Sequence, residues 1–197
     1  MDRRYFLIAL ASSASLATPV LADRADVRYN FRSVFSTSAA RGSYRGKRVV
    51  DYKTAEKPGT IIVDTSSRKL FYVLGAGRAI EYGVGVGRQG FEWSGTARIG
   101  NKAQWPQWRP PAEMIARELR QYGRQLPAVM EGGPNNPLGA RALYLYQGSR
   151  DTLYRIHGTN APETIGQAVS SGCIRLVNEE VIDLFNRARI GTKVIVL

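Results

Sequence analysis

The sequence predicts a mainly β domain. Short runs rich in β-branched and aromatic residues are separated by turns containing Gly and Ser, as at residues 60–64 and 69–74. Helical patterns are few and short, and strands do not alternate with helices as they do in parallel α/β sheets. The 197 residues include 20 glycines and 10 tyrosines, which favours β structure with many turns and suffices for one domain plus short appendages.

The N-terminal residues are organised like an export signal. Arg3 and Arg4 precede a mostly apolar stretch, and small residues then allow cleavage after Ala22. The residues around the arginine pair also resemble a twin-arginine export motif, so that route and the general secretory route are both open. A membrane anchor is the alternative, but the apolar run is short and ends at Pro19. We expect a cleavable signal peptide at residues 1–22, and a periplasmic mature protein without stable membrane insertion.

The segment after the signal has a basic composition without a clear period. Residues 23–57 contain nine Lys and Arg against four Asp and Glu. This pattern predicts a basic linker, or an arm that lies on the domain surface. The folded domain is expected to begin at Pro58 and to extend over residues 58–197.

The first half of that domain is predicted to consist of successive strands. Residues 60–64 and 69–74 predict a hairpin, and Gly75 to Gly77 turns the chain into a strand over residues 80–87, where apolar residues and glycines alternate. The glycines of this last run superficially suggest a phosphate loop. They lack the Gly-Lys-Ser/Thr ending and a following helix, so we exclude nucleotide binding.

A stretch rich in tryptophan and proline follows. Residues 101–113 hold Trp105 and Trp108, two of the three tryptophans, and three prolines. We expect a loop here and then a helix over residues 111–122, since proline is favoured in the first turn. From residue types alone, indoles in a loop stiffened by proline either cap the core or line a substrate groove.

The second half returns to strands and ends with one helix. Strands are predicted at residues 141–146 and 153–156. Asn178 is the expected N-cap of a helix whose apolar stripe comprises Val181, Leu184, Phe185 and Ala188, and residues 192–197 are the expected closing strand.

The only histidine and the only cysteine lie close together in this half. His157 follows the second of these strands, and Cys173 is 16 positions later, after a segment rich in Gly, Ser and Thr. Imidazole is the side chain best suited to take a proton from a thiol near neutral pH, so the pair suggests a nucleophile and its base. The alternative is an inert buried cysteine and a histidine bonded at a strand end. A lone cysteine in an exported protein is exposed to oxidation, which favours the chemical role.

The residues around this pair closely resemble the signature of the L,D-transpeptidase (YkuD) family. They read Ile-His-Gly-Thr-Asn at residues 156–160 and Ser-Ser-Gly-Cys-Ile-Arg-Leu at residues 170–176. Enzymes of this family cross-link or decorate bacterial peptidoglycan, and the resemblance extends over about residues 58–197. Many members have His where this chain has Ser171, but that histidine is not the family's usual base.

The resemblance implies both the fold and the chemistry. It implies a YkuD-like β-sandwich or barrel with a few short helices, Cys173 as nucleophile, His157 as base, and the backbone carbonyl of Gly158 as the group that orients the base. The implied reaction releases D-alanine from a stem tetrapeptide and leaves a thioester that an amine resolves. Residues 101–113 and 132–139 resemble a branch that attaches the outer-membrane lipoprotein to the wall.

The remaining candidate residues surround the nucleophile. Gly172 allows a tight bend, and the backbone N–H groups of Ser171, Gly172 and Cys173 are candidate oxyanion donors. Arg175 is expected to bind a substrate carboxylate, or else to form a structural ion pair with Glu179 or Asp183. Ser170 is expected mainly to make hydrogen bonds within the loop. The resemblance favours Trp105 and Trp108 as lining of the substrate groove.

Composition limits the partners. The net charge of +12 is compatible with nucleic acid, anionic membrane or an acidic polymer. The basic residues are scattered and no nucleic-acid motif occurs, so we expect peptidoglycan stem peptides, with an outer-membrane lipoprotein as a further candidate acceptor. One His and one Cys without a carboxylate cluster predict no metal site, and no cofactor is expected.

Three other functions are alternatives to transpeptidation. An L,D-carboxypeptidase or amide hydrolase of the same fold would use water as the acceptor and share every catalytic residue. A non-catalytic peptidoglycan-binding protein would tolerate loss of Cys173. A disulfide oxidoreductase would need a Cys-x-x-Cys pair, and the second cysteine is missing.

Overall fold

The computed structural model describes residues 46–89 and 93–197. In these parts the strands are β1 Arg48–Asp51, β2 Ile61–Asp64, β3 Lys69–Gly75, β4 Arg78–Gly83, β5 Val86–Gly87, β6 Gly95–Gln104, β7 Arg141–Gln147, β8 Arg150–His157, β9 Ala168–Ser170, β10 Ile174–Arg175 and β11 Lys193–Val196. The helices are α1 Ala112–Tyr122 and α2 Asn178–Arg187, and residues 162–164 form a short 3-10 turn. The predicted signal peptide and the first part of the predicted basic arm lie outside the described residues.

Nine of the strands form one mixed sheet. Their order across it is β1-β4-β3-β2-β11-β6-β7-β8-β10, while β5 and β9 pair in a small separate sheet. The pairs β2–β11 and β8–β10 are parallel, and the other pairs of the large sheet are antiparallel. The prediction of a mainly β fold is confirmed.

The main hydrophobic core collects one face of the central strands and the inner face of α2. Alternation of side chains along a strand places every second residue on this face. Its fully buried members include Leu70, Tyr82, Ile99, Leu143 and Leu184. A smaller cluster covers the opposite face of β2, β3 and β4, where Tyr52 stacks on Phe71 with ring centroids 4.3 Å apart.

The predicted hairpins are present. Strands β2 and β3 pair in antiparallel register around the turn at residues 65–68, and β3 and β4 pair around the turn at Gly75 to Gly77. The pattern at residues 23–57 did not predict β1, which pairs with β4 at the edge of the large sheet. Residues 48–51 are therefore part of the sheet and not a linker.

The longest strand, β6, was not predicted either. We expected a loop over residues 101–113, but β6 continues to Gln104, so only the later part of that range is irregular. Within β6 only Ala97 and Ile99 are buried, and Gly100 interrupts the alternation where the register with β7 shifts. The strand is defined by its pairing with β7 and β11, which are distant in sequence.

The two helices confirm the predicted positions with one correction. Helix α1 begins at Ala112, with Pro111 at its N-cap, and ends at Gly123, whose φ of +62° is in the left-handed region that favours glycine. Asn178, the expected N-cap of α2, is instead the first helical residue, and Val177 occupies the cap position without a side-chain hydrogen bond. In the described chain, neither helix is long and apolar enough to cross a membrane.

Candidate active site

Strands β8 and β10 bring the histidine and the cysteine together. These strands are parallel neighbours, with Ile174 opposite Ile156 and Arg175 opposite His157. Both isoleucines are buried in the core. Because side chains alternate between faces, Arg155 and His157 of β8 and Arg175 of β10 lie on the other face of this strand pair. Cys173 is the residue directly before β10, and the charges of Arg155 and Arg175 act on its thiol. The structure therefore places the predicted nucleophile and the predicted base beside the same two guanidinium groups.

The hydrogen bonds of His157 define its tautomer. The Nδ1 atom lies 2.6 Å from the carbonyl oxygen of Gly158, as the family resemblance implied. A carbonyl oxygen can only accept, so Nδ1 carries the proton and the lone pair of the neutral ring is on Nε2. The neighbouring carbonyl of His157 accepts from the Leu176 amide at 2.9 Å, which ties the end of β8 to the residue after β10. The ring is thereby held with Nε2 as its basic atom.

Burial keeps the imidazole neutral. His157 is only 5% exposed. This burial, followed by the positive charges of Arg175 and Arg155, lowers the pKa of His157 to about 4, although hydrogen bonds to the backbone of Gly158 and of Leu138 oppose the shift. At neutral pH the ring is consequently an unprotonated base.

The thiol of Cys173 is neutral at rest as well. Its partial burial raises its pKa above the ordinary value, while a backbone hydrogen bond from Arg155 and the charges of Arg155 and Arg175 act in the opposite direction. Among the hydrogen bonds of the described residues, none joins the sulfur to the imidazole ring. The resting site is a neutral thiol beside a neutral imidazole, which suits proton transfer at the moment of attack rather than a preformed thiolate.

The turn before the nucleophile is built by Ser170. Its hydroxyl donates to the carbonyl of Cys173 at 2.6 Å and accepts from the amide of Gly172 at 3.2 Å. Gly172 has a φ of +113°, a conformation that side chains rarely adopt, and so permits the bend. Ser170 therefore makes hydrogen bonds within the loop.

One expected oxyanion donor is engaged in this turn. The amide of Gly172 already donates to Ser170, so it does not point freely at a substrate. In the described chain no hydrogen bond engages the amides of Ser171 and Cys173, and these two remain as candidate donors. The side chain of Ser171 is exposed.

Arg175 has none of the expected structural ion pairs. Asp183 is bound by Lys47 at 2.8 Å, by Arg187 at 2.9 Å and by the hydroxyl of Tyr82 at 2.6 Å, and no ion pair within the described residues involves Arg175. Its Nε and Nη2 atoms are buried without a hydrogen-bond partner. Burial lowers the pKa of Arg175, with the nearby Cys173 and Glu163 opposing the shift. A buried guanidinium with open donors beside the nucleophile suits an anionic ligand.

The tryptophan loop is tied to the segment that precedes β7. The amide of Trp105 donates to the carbonyl of Ala140 at 2.9 Å, and Trp108 exchanges two backbone hydrogen bonds of 2.8 Å with Met130. The side chain of Asn136 joins both segments by donating to the carbonyl of Pro106 at 2.9 Å. Trp105 is 46% exposed. The loop therefore carries an indole on the surface, and its position over the nucleophile stays a prediction.

Two residues of the site escaped the sequence analysis. Arg155 was assigned only to a strand, although it lies two positions before His157 and so on the same face. Its guanidinium forms a two-point ion pair with Asp151 at 2.7 and 2.9 Å and stacks over Tyr144. Asn178 was interpreted as a helix cap, and its actual contacts are with the turn after His157. Period-two spacing could have identified the first residue, whereas no local signal indicated the second.

No group of three or more His, Cys, Asp or Glu side chains within the described residues could hold a metal ion. The chemistry that the described face can perform is that of a thiol, an imidazole, backbone amides and guanidinium groups.

Comparison with known proteins identifies the family of the chain. A family model described as "L,D-transpeptidase catalytic domain" (YkuD) matches residues 58–196, most of the chain. The protein is a member of the L,D-transpeptidase (YkuD) family. Members of this family are enzymes, and the resemblance noted in the sequence is confirmed.

Individual relatives support the assignment over part or most of their length. The "Probable L,D-transpeptidase YbiS" of Escherichia coli (strain K12) is 40% identical over 140 residues, 69% of this chain and 43% of that protein. The chain thus spans less than half the length of this relative. A crystal structure from Brucella melitensis, described as a "Probable carnitine operon oxidoreductase caia", is 49% identical with a TM-score of 0.51 and covers 77% of this chain and 92% of that one.

A more distant structure supports the fold alone. The L,D-transpeptidase from Mycobacterium smegmatis is 16% identical with a TM-score of 0.52, and the match covers 70% of this chain and 58% of that one. The expected YkuD-like fold is therefore confirmed.

Proposed function

We propose that this L,D-transpeptidase family member acts on peptidoglycan stem peptides through a thioester on Cys173, with His157 as the general base. The observation that carries the proposal is the parallel pairing of β8 with β10, which brings His157 and Cys173 beside the same two guanidinium groups, while Gly158 holds the His157 proton on Nδ1. Family membership supports the reaction class. The nucleophile and the base are inferred from this geometry.

Acylation begins with a neutral pair. The Cys173 sulfur attacks the carbonyl carbon of the diaminopimelate residue in a stem tetrapeptide, and its proton passes to Nε2 of His157. The S–C bond forms as the carbonyl oxygen becomes an oxyanion. When this intermediate collapses, the C–N bond breaks and the imidazolium returns the proton to the leaving amine of D-alanine. A thioester on Cys173 remains.

The oxyanion requires donors that are already oriented. The amides of Ser171 and Cys173 fit this role, because the Ser170 hydroxyl holds the turn that carries them. A well-placed donor of this kind contributes about 3–4 kcal/mol to the transition state. The amide of Gly172 acts indirectly, by fixing the turn through Ser170.

Deacylation repeats the proton transfers in reverse. An acceptor amine attacks the thioester carbon and gives its proton to Nε2, and the sulfur leaves and takes that proton back. The acceptor is a second stem's diaminopimelate or the terminal lysine of an outer-membrane lipoprotein. Water as the acceptor would make the enzyme an L,D-carboxypeptidase with the same residues.

Charge and aromatic groups supply substrate recognition in this proposal. The open donors of Arg175 bind a stem carboxylate beside the reacting carbon. Trp105 and Trp108 line the groove and limit access of water to the thioester. No metal or cofactor takes part.

The proposed location is the periplasm, where peptidoglycan is accessible. It depends on the predicted signal at residues 1–22 and on cleavage after Ala22. N-terminal sequencing of the protein recovered from the periplasmic fraction should begin at Asp23. Recovery of the uncleaved chain in the membrane fraction would contradict the periplasmic assignment.

Product analysis tests the reaction. The purified protein is incubated with wall fragments bearing tetrapeptide stems, and the products are identified by mass spectrometry. We expect release of D-alanine, a thioester adduct on Cys173 and transfer of the tripeptide to an amine. Cys173→Ala should give none of these products while its circular dichroism and melting temperature stay close to those of the unmodified protein.

The other outcomes separate the alternatives. Tripeptides formed only by hydrolysis, even at high acceptor concentration, would identify a carboxypeptidase. Turnover by the Cys173→Ala variant would refute the nucleophile assignment, and wall binding without turnover by the unmodified protein would indicate a non-catalytic binding protein.

A further inference from the structure

Asn178 contacts the turn that follows His157. It begins α2 but makes no capping bond to that helix. Its side-chain oxygen Oδ1 accepts instead from the amide of Ala140 at 2.9 Å and from the amide of Thr159 at 3.3 Å. One atom therefore joins the start of β7, the end of β8 and the start of α2.

The second of these bonds reaches the peptide group that orients the base. The amide of Thr159 and the carbonyl of Gly158 belong to the same planar peptide unit. The carbonyl of this unit accepts from Nδ1 of His157 at 2.6 Å, and its N–H donates to Asn178. A trans peptide directs its C=O and N–H in opposite directions, so the position of Asn178 Oδ1 determines where the carbonyl points.

Glycines allow this close approach. A Cβ atom added at Gly158 would clash with Asn178 Oδ1, and one added at Gly139 would clash with the same oxygen and with the Thr159 amide. Any larger residue at either position would displace the asparagine. Glycine at both positions therefore leaves the space that the Asn178 oxygen occupies.

We propose that Asn178 is a positioning residue, which holds the 158–159 peptide so that its carbonyl keeps the His157 proton on Nδ1 and leaves Nε2 as the base. The inference rests on the proposed role of His157 as general base. Without Asn178, two buried amides lose their acceptor and the peptide is free to rotate, so the ring loses the bond that selects its tautomer. The acting atom is an acceptor oxygen, and the amide nitrogen of the side chain is not required.

This last point provides a conservative rescue. Asn178→Asp retains an acceptor for both amides and places a negative charge at the N-terminus of α2, where helices favour it. Asn178→Ala removes the acceptor. Val181→Ala is the matched control, since Val181 is fully buried in the same helix and its truncation lowers stability without touching the turn.

The tautomer can be measured directly because His157 is the only histidine. In protein labelled with ¹⁵N-histidine, the two ring nitrogen shifts report which nitrogen carries the proton. We expect a single Nδ1–H tautomer in the unmodified protein, in Val181→Ala and in Asn178→Asp, and a mixture of tautomers in Asn178→Ala. The rate constant kcat should fall by up to about 100-fold in Asn178→Ala with a smaller change in KM, and Asn178→Asp should recover most of it.

A measurement on the unmodified protein covers the case in which Asn178→Ala fails to fold. The amides of Ala140 and Thr159 should exchange slowly with deuterium, because both donate to Asn178. Rapid exchange of the Thr159 amide would overturn the proposal. It would also be overturned by an unchanged tautomer in folded Asn178→Ala, whatever its activity. Full turnover by His157→Gln would instead refute the proposed function, and the tautomer measurement would still judge Asn178 by itself.

Discussion

His157 and Arg175 are direct cross-strand partners in the parallel pair of β8 and β10, so the imidazole and a guanidinium lie on the same face of the sheet. Arg155 adds a second positive charge two positions earlier on that face. Together with burial, which is the largest cause, these charges disfavour the imidazolium and lower the pKa of His157 to about 4. The base is consequently ready to accept a proton over the whole neutral range.

The first prediction concerns the pH dependence of thiol reactivity. The rate at which iodoacetamide alkylates Cys173 should decrease only as the pH falls towards 4, where His157 becomes protonated. It should not decrease near 6.5, the ordinary pKa of histidine. His157→Gln should react slowly and follow the ionisation of an unassisted thiol, whose pKa burial raises above that of a free cysteine. The measurement is the alkylation rate between pH 4 and pH 10. Identical profiles for the two proteins would show that His157 does not assist Cys173.

The second prediction concerns stability. In the unfolded chain His157 titrates near 6.5, and in the folded protein near 4, so between these values the unfolded chain binds more protons. The free energy of unfolding should therefore decrease as the pH falls from 6.5 towards 4, and this contribution should be constant above 6.5. Urea unfolding of the unmodified protein and of His157→Gln at several pH values isolates the effect. If the free energy of unfolding of the two proteins changed by the same amount between pH 6.5 and pH 4, the result would contradict a buried, neutral imidazole.

The third prediction concerns recognition by Arg175. Arg175→Met should raise KM for stems with a free carboxylate and should have little effect on stems in which that carboxylate is amidated. The melting temperature of Arg175→Met should stay close to that of the unmodified protein. Removing one member of a buried ion pair leaves the other charge unpaired, but the buried Nε and Nη2 atoms of Arg175 have no such partner. The measurement is kcat/KM for matched acid and amide substrates. Arg98→Met, on strand β6, is a control for removal of a positive charge. Equal losses on the two substrates would exclude carboxylate recognition.

The fourth prediction concerns the tryptophan loop. A thioester reacts with water as well as with amines, so an efficient transferase must limit solvent at the sulfur. Trp105→Ala or Trp108→Ala should shift products from transferred stems towards hydrolysed tripeptides, with a smaller loss of acylation. The measurement is the ratio of transferred to hydrolysed product at matched acylation. Tyr122→Ala, an exposed aromatic of α1, is the control. An unchanged ratio in both tryptophan variants would assign the loop to packing alone.

Several features could be predicted from the sequence because their causes are local. The runs at residues 60–64 and 69–74 are rich in β-branched and aromatic residues around a short turn, and so predicted a hairpin that the structure contains. The apolar stripe of α2 predicted a helix in the correct place. The motifs around His157 and Cys173 identified the family, because each residue type occurs once and the neighbouring residues form a long and specific pattern.

Other features depended on contacts between distant segments. Strand β6 has a weak pattern of its own and exists because β7 and β11 pair with its two edges. The edge strand β1 likewise depends on β4. Sequence spacing indicated a turn before Cys173 but could not show that the Gly172 amide is bound by Ser170.

By itself, the sequence determined the family, the mainly β class and the identity of the candidate nucleophile and base, since these follow from motif and periodicity. The tertiary structure alone decided the state and orientation of the base. The low pKa of His157 results from burial and from guanidinium groups on two strands, and its tautomer from a peptide that Asn178 contacts from a helix 19 residues further along the chain. When only its neighbours in sequence are considered, Asn178 is a residue type that is favoured at a helix N-cap. Its hydrogen bonds are made elsewhere, because the fold brings the amides of Ala140 and Thr159 to its oxygen, and buried amides require an acceptor.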